Sequence, residues 1–216
     1  MKGFFITGSD TNVGKTYIAC QIARELVNKN FNVIPRKPIE SGCEKINDEL
    51  IPSDAQKLML ASQYKLGLDK VCRYRFEPAI SPAQAAKSSQ QKISLADLKS
   101  ACETHSDLNN DFLIVEGAGG FFSPLCENAL NADLAVELNL PVVIVVEHKL
   151  GCINQALLTI SAAKKYSLKI HAVVLNAKIS SENVKQNIDE IKQFTDVDIF
   201  SCLANDKLDL AFYTGL

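Results

Sequence analysis

The chain has 216 residues, of which 47% are hydrophobic and 22% charged, and it carries a formal net charge of −2. This composition excludes a disordered or fibrous protein, and the length suffices for one domain with a substantial apolar core. The near-neutral charge gives no electrostatic attraction to nucleic acid or to anionic lipid, so the expected partner is a small molecule.

The sequence also predicts the compartment in which the protein works. Its first residues, MKGFFITGSD, do not resemble a signal peptide, and no segment reaches the roughly 20 apolar residues that span a bilayer. The seven cysteines are scattered without a C-x-x-C pair, so we expect most of them to be buried rather than metal-binding. We therefore expect a cytoplasmic protein with no membrane association.

Short apolar runs alternate with longer segments of helical period along the chain. This alternation predicts a single α/β domain over residues 1–216, with three layers in which helices flank a mostly parallel central sheet. The expected strands are 3–7, 31–37, 112–116, 141–147, 170–176 and, more weakly patterned, 196–200; the expected helices are 15–28, one that follows Ser94, 153–166 and 181–194. Residues 39–92 have weaker periodicity and polar loops, and insertions of this kind often carry substrate contacts.

The stretch GSDTNVGKTY, residues 8–17, is the strongest functional motif. It lies between the first strand and the first helix, as a phosphate-binding loop must, and has one residue more than the common G-x-x-x-x-G-K-[ST] pattern. In such a loop the backbone N–H groups face phosphate oxygens, Lys15 reaches the β- and γ-phosphates, and the Thr16 hydroxyl binds Mg²⁺. The motif predicts a P-loop NTPase-like fold that binds a nucleoside triphosphate with Mg²⁺.

Two carboxylates are candidates for further metal ligands. Glu116 ends the apolar strand FLIVE and is followed by GAGG, whose small residues leave room for a ligand. A charge at the end of such an apolar strand needs a partner, which favours a site there. Asp54, in IPSDAQKL, is the second candidate, and its alternative interpretation is an acidic residue that stabilises the start of a helix. The expected Mg²⁺ ligands are thus Thr16, Asp54 and Glu116.

Several segments, in the same order along the chain, together resemble the dethiobiotin synthetase family, which uses this loop with its additional residue. The matching segments are TGSDTNVGKT (7–16), RKPIESG (36–42), SDA (53–55), EPAISPAQAA (77–86), VEGAGGFFSPL (115–125), HKLGCINQALLT (148–159) and LNA (175–177). The resemblance implies that 7,8-diaminononanoate, CO2 (or bicarbonate) and ATP are converted to dethiobiotin, ADP and phosphate. It also implies a requirement for Mg²⁺ and a homodimer.

The resemblance further implies an order of chemical steps. One amine of the substrate becomes a carbamate, the carbamate oxygen attacks the γ-phosphate, and the second amine closes a cyclic urea by expelling phosphate. Phosphoryl transfer needs cations over the spreading negative charge, and ring closure benefits from both amines belonging to one molecule. No general base of unusual pKa is required, because the carbamate is already an anion.

The resemblance also assigns roles to individual residues. The expected catalytic residues are Lys37, Lys15 and Thr11. The expected ATP contacts are Asn12, Val13, Gly14, Lys15, Thr16, Tyr17, Asp54, Glu116, Gly117, Ala118, Gly119, Asn176 and Ala177, with Asn176 binding the adenine. The expected substrate contacts are Thr11, Lys37, Ser41, Ser81, Gly151, Cys152, Ile153 and Asn154. The last four begin a helix, whose N–H groups suit an anion, and in the family this segment reaches the substrate carboxylate from the partner subunit.

The chain departs from the family pattern in three places. One is the pair at residues 176 and 177, which reads NA where the family commonly has an Asn-Asp or similar pair. Asn12 stands where the family loop often has Glu, and its neutral amide still permits the loop fold but offers no charge to a substrate amine. After the last strand the chain reads IFSCLAND, residues 199–206, in place of the family's second base-contacting segment. The sequence therefore leaves the selectivity for ATP over other triphosphates open.

Three alternative functions share parts of this pattern. A ParA/MinD-like ATPase switch would use a K-G-G-x-x-G-K-[ST] loop, but no lysine precedes Lys15 in this loop, and the C-terminal NDKLDLAFYTGL is not a basic amphipathic helix. An amidotransferase-type synthetase of the cobyrinic acid group would carry a glutaminase domain, for which 216 residues leave no space. A relative that binds nucleotide but catalyses weakly is the third alternative.

Overall fold

The computed structural model describes residues 2–104, 109–177, 183–203, 206 and 208–214. The strands are β1 (Lys2–Gly8), β2 (Asn32–Arg36), β3 (Ile39–Ser41), β4 (Glu44–Ile46), β5 (Glu49–Ile51), β6 (Tyr74–Phe76), β7 (Asp111–Glu116), β8 (Pro124–Cys126), β9 (Ala129–Leu130), β10 (Val142–Glu147), β11 (Ile170–Ala177) and β12 (Ile199–Leu203). The helices are α1 (Lys15–Asn28), α2 (Ser53–Ala61), α3 (Leu68–Val71), α4 (Pro82–Ser88), α5 (Leu95–Cys102), α6 (Asn131–Leu138), α7 (Cys152–Lys165) and α8 (Asn183–Lys192), with a 3-10 turn at Leu210–Tyr213.

Six strands form the central sheet in the spatial order β12-β11-β10-β1-β7-β2, and every neighbouring pair in it is parallel. The predicted α/β fold with a mostly parallel sheet is confirmed. From β1 the chain first builds one side of the sheet, with β2 and β7, and then the other, with β10, β11 and β12. This reversal of strand order opens a crevice at the carboxyl end of β1, where open α/β sheets bind ligands.

Apolar side chains alternate between the two faces of the sheet and so create two cores. Phe5 packs in one core together with residues of α5, α6 and α7, among them Ile160 of α7. Phe4 and Ile6, its neighbours along β1, pack in the opposite core with Ile18 of α1 and with the C-terminal turn. Because both faces of the central strands are buried, these strands read as continuous apolar runs.

Two elements differ from the sequence prediction by more than one residue. The last strand begins at Ile199 and not at residue 196, because the preceding residues turn: the Val197 N–H donates to Thr195 Oγ1 at 3.2 Å. The helix expected over 181–194 is observed as Asn183–Lys192, and its first two predicted residues lie outside the described part of the chain. Pro35 lies within β2, which is an edge strand, where a missing N–H donor is tolerated.

The insertion over residues 39–92 has its own small elements beside the carboxyl end of β2. Strand β3 pairs in parallel with β6, strand β4 forms an antiparallel hairpin with β5, and α2 packs against α1. All seven cysteines are unbridged and buried, as expected. Among the described residues, none of the helices is both long and apolar enough to cross a membrane.

Candidate active site

The loop between β1 and α1 takes its shape from residues with left-handed backbone. Gly14 caps α1 with φ 97°, and Asn12 has φ 59°. Asparagine is among the few side chains that tolerate this region, which gives a conformational reason for the amide at position 12. A Cβ on Gly14 would lie 2.0 Å from Nδ2 of Asn176, so both the backbone and the space require glycine. Gly14, Lys15 and Thr16 line a cavity, as expected of an anion site at a helix N-terminus.

Lys15 is a largely buried cation at this helix start. Its side chain is 6% exposed, and its ammonium donates to the Asp10 carbonyl at 2.9 Å. Burial, followed by repulsion from Lys37, lowers the pKa of Lys15 to about 8. A bound phosphate would favour the protonated form, because an anion within a few ångströms raises the pKa of an ammonium group.

Lys37 and Glu116 form a buried ion pair beside the loop. They are 3% and 1% exposed, and Lys37 Nζ donates to Glu116 Oε1 at 2.6 Å and to the Gly117 carbonyl at 3.1 Å. They meet because β2 and β7 are neighbours in the sheet, Lys37 directly follows β2, and Glu116 is the last residue of β7. Burial alone would lower the pKa of Lys37, but Glu116 and the nearby carboxylates of Asp54 and Glu40 together raise it above its usual value. Lys37 is therefore a permanent cation at neutral pH.

The second carboxylate oxygen of Glu116, Oε2, indicates whether the residues of the cavity suit Mg²⁺. Thr16 Oγ1 donates to Glu116 Oε1 at 2.8 Å, whereas Oε2 is buried and has no hydrogen-bond partner among the described residues. Such an oxygen destabilises the fold unless a cation or ligand satisfies it. Asp54 lines the same cavity, so two carboxylates and a hydroxyl converge there, which is a donor set that Mg²⁺ accepts.

The small number of protein ligands in this donor set also indicates how the metal ion would be bound. The described residues contain no group of three or more His, Cys, Asp or Glu that could hold a metal by themselves. An ion at Thr16, Asp54 and Glu116 would therefore complete its shell with water and phosphate oxygens, as Mg²⁺ commonly does. The predicted ligand set fits Mg²⁺ held jointly with a nucleotide.

Glu40 lines the same cavity and was not predicted from the sequence. It is 5% exposed, and its two oxygens accept the backbone N–H groups of Asp54 and Ala55, each at 3.0 Å. Burial raises the pKa of Glu40, although Lys37 and the two N–H donors oppose that rise. A signal was present in the sequence, since a glutamate stands inside PIESG next to Lys37, but its partners follow only from tertiary packing.

Asn176 lies below the loop at the end of β11. Its side chain is buried, and Nδ2 donates to the Val13 carbonyl at 2.9 Å. This hydrogen bond ties the phosphate-binding loop to the sheet. The expected contact of Asn176 with adenine stays a prediction, and the structure adds a support role that the sequence did not indicate.

One cavity of about 350 Å³ brings together most of the predicted site residues. Its lining includes Thr11, Asn12, Gly14, Lys15, Thr16, Lys37, Ser41, Asp54, Glu116, Ala118 and Gly119, together with the unpredicted Glu40. Five predicted ATP contacts lie outside this lining: Val13, Asn176 and Ala177 are buried, Gly117 offers its carbonyl to Lys37, and Tyr17 is 37% exposed.

The remaining predicted substrate residues lie in other cavities of the chain. Ser81 caps α4, where its hydroxyl accepts the Gln84 N–H at 3.4 Å, and it borders a groove of about 1040 Å³. Residues 151–154 border a third cavity, of about 780 Å³, at the start of α7. Neither cavity shares a lining residue with the central one. Within one chain, then, the start of α7 does not complete the central site.

Solved structures share this fold. The MinC:MinD cell division protein complex of Aquifex aeolicus matches with a TM-score of 0.56 and 18% identity, over 98% of this chain and 84% of that chain. A ParA family ATPase from Chlorobium tepidum matches with a TM-score of 0.51 and 13% identity, over 95% and 85%. At these identities the likeness concerns the fold alone. Fold and loop geometry together define the class: this is a P-loop NTPase-type α/β protein.

Sequence relatives narrow that class to one family. A family model described as an AAA domain matches residues 2–208. The ATP-dependent dethiobiotin synthetase of Ruthia magnifica is 45% identical over 92% of this chain and 90% of that relative, and the one of Bacillus cereus is 35% identical over 94% and 83%. The one of Aeromonas salmonicida is 37% identical over 89% and 85%. The chain belongs to the dethiobiotin synthetase family, which confirms the resemblance noted in the sequence.

Proposed function

We propose that residues 1–216 act as one ATP-dependent ligase domain that makes dethiobiotin. The substrates are 7,8-diaminononanoate, CO2 and ATP, and C–N bonds form through a carbamate and a carbamic-phosphoric anhydride. The observation that carries the proposal is the single cavity in which the loop cation Lys15, the buried cation Lys37 and the hydroxyls of Thr11 and Ser41 meet. Family membership, shared with relatives named ATP-dependent dethiobiotin synthetases, supports the same activity.

The two lysines stabilise negative charge at different parts of the transferring phosphoryl group. Lys15, at the helix start, binds the β- and γ-phosphate oxygens, and Lys37 neutralises the charge that develops between the γ-phosphate and the carbamate. The carboxylates of Glu116, Asp54 and Glu40 keep Lys37 protonated, so no proton has to be supplied before it can act. Burial of both ammonium groups strengthens these contacts, because the surroundings screen them less than water would.

Mg²⁺ would be held by Thr16, Asp54 and Glu116 and would supply positive charge over the β- and γ-phosphate oxygens. The chain's own contribution is to hold these side chains in place. Glu116 is fixed by Lys37 and Thr16, and its free oxygen Oε2 remains the available donor.

Thr11 and Ser41 bind the diamine end of the substrate. The Ser41 hydroxyl donates to the Ile80 carbonyl at 2.7 Å, which leaves its lone pairs to accept from an amine. Thr11 lies in the loop itself, where its backbone N–H is held by Asp10 Oδ1 at 2.7 Å. Hydroxyl acceptors at these two positions would orient the two amines of one substrate molecule toward the phosphoryl group, and this orientation favours ring closure.

The substrate carboxylate binds at the start of α7 from a second subunit of a homodimer. The Cys152 N–H is already used by the Lys149 carbonyl at 2.9 Å, so among the described residues the N–H groups left for an anion are those of Gly151, Ile153 and Asn154. Leu150 is fully exposed and Leu158 is 63% exposed beside this segment, which is apolar surface that a subunit interface would cover. A dimer would bring this helix start to the central cavity of its partner.

The test is phosphate release by the purified protein with ATP, Mg²⁺ and bicarbonate, with and without 7,8-diaminononanoate, followed by mass analysis of the product. We expect release that depends on the diamine and yields dethiobiotin. A matched analogue with a single amine should give no cyclic product, because ring closure needs the second nitrogen. Steady hydrolysis that ignores the diamine would contradict the proposal and favour a nucleotide switch of the MinD or ParA kind, whose fold this chain shares.

A further inference from the structure

Helix α2 lacks a cap of its own at the end where it meets the cavity. Its N-cap residue is Pro52, which forms no side-chain capping hydrogen bond. The first N–H groups of a helix have no partner within the helix, and those of its second and third residues are the ones that a capping side chain normally satisfies. In α2 these belong to Asp54 and Ala55, and both donate to the distant Glu40 at 3.0 Å.

Glu40 therefore serves as the capping group of α2 from another part of the fold. It lies on the short strand β3, is 5% exposed, and gives one carboxylate oxygen to each of the two N–H groups. A negative charge at a helix N-terminus is also stabilised by the helix dipole. These two hydrogen bonds fix the backbone of Asp54 relative to β3 and to the cavity that Glu40 lines.

The side chain of Asp54, by contrast, is held only loosely. Its two ion pairs within the described residues are with Lys37 at 3.8 Å and with Lys57 at 3.6 Å, and both distances exceed that of a hydrogen bond. The carboxylate is also 37% exposed. Its position relative to Glu116 therefore depends on where the backbone of Asp54 is held, and Glu40 binds the N–H group of that backbone directly.

We propose that Glu40 is a positioning residue for the Mg²⁺ site: it holds Asp54 where its carboxylate can share an ion with Thr16 and Glu116. The inference rests on the metal site of the proposed function. Glu40 itself acts through the backbone of Asp54, since both of its oxygens already accept hydrogen bonds from α2. Residues that orient metal ligands in this way commonly change metal affinity by about 10–100-fold when they are removed.

The experiment measures Mg²⁺ binding in the presence of ADP by calorimetry, so no turnover is needed. We expect Glu40→Ala to weaken Mg²⁺ binding by about 10–100-fold. Glu40→Gln retains one acceptor oxygen for the two N–H groups, so we expect an intermediate loss. The matched control is Ser94→Ala, which removes the side chain that caps α5 by accepting the Asp97 N–H. This control should lower the Tm, as loss of a helix cap does, but leave Mg²⁺ affinity unchanged.

A double-mutant cycle with Asp54→Asn tests whether Glu40 works through Asp54. If it does, Glu40→Ala should have almost no further effect on Mg²⁺ affinity once the Asp54 carboxylate is gone. Equal losses in both backgrounds would overturn the inference and reduce Glu40 to a general charge in the cavity. Wild-type Mg²⁺ affinity in Glu40→Ala, with a Tm lowered as in Ser94→Ala, would overturn it too and leave Glu40 a structural cap.

Two further readouts keep the inference testable. Should Glu40→Ala not fold, Glu40→Gln with amide hydrogen exchange at Asp54 and Ala55 decides: faster exchange with weaker Mg²⁺ binding supports the inference, and unchanged exchange overturns it. The proposed function is judged separately, by dethiobiotin formation in the wild-type protein. A wild-type protein that binds Mg²⁺ with ADP in the Glu40-dependent way, yet makes no dethiobiotin, would refute the proposed function and retain this inference.

Discussion

The strands of the central sheet end in two different chemical environments. We call the side where their carboxyl ends meet the carboxyl edge, and the side where their amino ends meet the amino edge. At the carboxyl edge, Lys37 and Glu116 are buried and charged, and one oxygen of Glu116 has no hydrogen-bond partner among the described residues. At the amino edge, Phe4 packs against Phe112 at 5.1 Å, His171 at 4.4 Å and Phe212 at 5.8 Å between ring centroids. A single strand, β7, reaches both environments, because Phe112 lies near its amino end and Glu116 at its carboxyl end.

The aromatic cluster around Phe4 and the charged pair of Lys37 and Glu116 thus have different roles, the first in stability and the second in function. Aromatic packing at the amino edge buries large apolar area, which stabilises the fold. The carboxyl edge retains buried charges that a merely stable protein would replace by apolar side chains, because desolvating charges is costly. Substitutions at the two edges should therefore affect different measurements.

The largest effect on turnover should follow from Lys37→Ala at the carboxyl edge. Removing one preorganised cation from phosphoryl transfer should lower the kcat for diamine-dependent phosphate release by about 100–1000-fold, or about 2.7–4 kcal/mol. The matched control is Lys57→Ala, since Lys57 also lies near Asp54, at 3.6 Å, but is 64% exposed. Near wild-type turnover in a folded Lys37→Ala protein would remove Lys37 from the mechanism.

The largest effect on stability should come from Phe4→Ala at the amino edge. Truncating this fully buried ring should lower the free energy of unfolding by about 3–5 kcal/mol, measured by urea denaturation, with kcat unchanged at temperatures where the protein is folded. Phe4→Leu, a smaller change in volume, keeps the comparison open if Phe4→Ala does not fold. Phe194→Ala is the exposed control, at 67% exposure. A fall in kcat as large as that of Lys37→Ala would show that the two edges are not separable.

A third prediction isolates the close approach of Asn176 to the loop. Gly14→Ala places a Cβ 2.0 Å from Asn176 Nδ2 at a φ of 97°, whereas Gly67→Ala meets nothing within 4 Å at the nearly equal φ of 95°. Both should lose stability through the left-handed backbone. Only Gly14→Ala should also weaken ADP binding, by on the order of tenfold, because it leaves the buried Val13 carbonyl without its donor. Equal ADP affinity in the two variants would contradict a role for this contact.

The smallest effect should be a pH dependence at the amino edge. Burial, together with the weaker influence of Lys169, lowers the pKa of His171 below its ordinary value of 6.5, and its Nε2 lies 2.8 Å from the Phe212 carbonyl. Below pH 6.5 the unfolded chain binds a proton that the folded chain does not, so the stability from neutral His171 falls as pH drops toward the lowered pKa.

The measurement for His171 is the Tm as a function of pH in the wild-type protein and in His171→Gln. One kcal/mol corresponds to about 2–4 °C in a chain of this size, and we expect a smaller shift because His171 is only partly buried. The variant should lose this part of the pH slope and keep its kcat. Identical slopes in the two proteins would contradict the assignment to His171.

Much of the fold and of the site could be predicted from the sequence because the signals are local. Apolar runs predict the buried strands, and the loop that carries Lys15 and Thr16 lies between a strand and a helix that it adjoins in sequence. Glu116 stands out because a charge ends an otherwise apolar strand. The start of the last strand was misplaced by three residues, because the turn at 195–198 contains residues that also occur in strands.

The sequence by itself determined that this chain forms a parallel α/β sheet with a phosphate-binding loop, and which family it belongs to, because these depend on neighbouring residues and on order along the chain. Only the tertiary structure decided that Glu40 caps α2, that Asn176 supports the loop, and that Lys37 and Thr16 share one oxygen of Glu116. These contacts join residues from 14 to 163 positions apart. Their geometry depends on how sheet and helices pack, and no local pattern in the sequence encodes that packing.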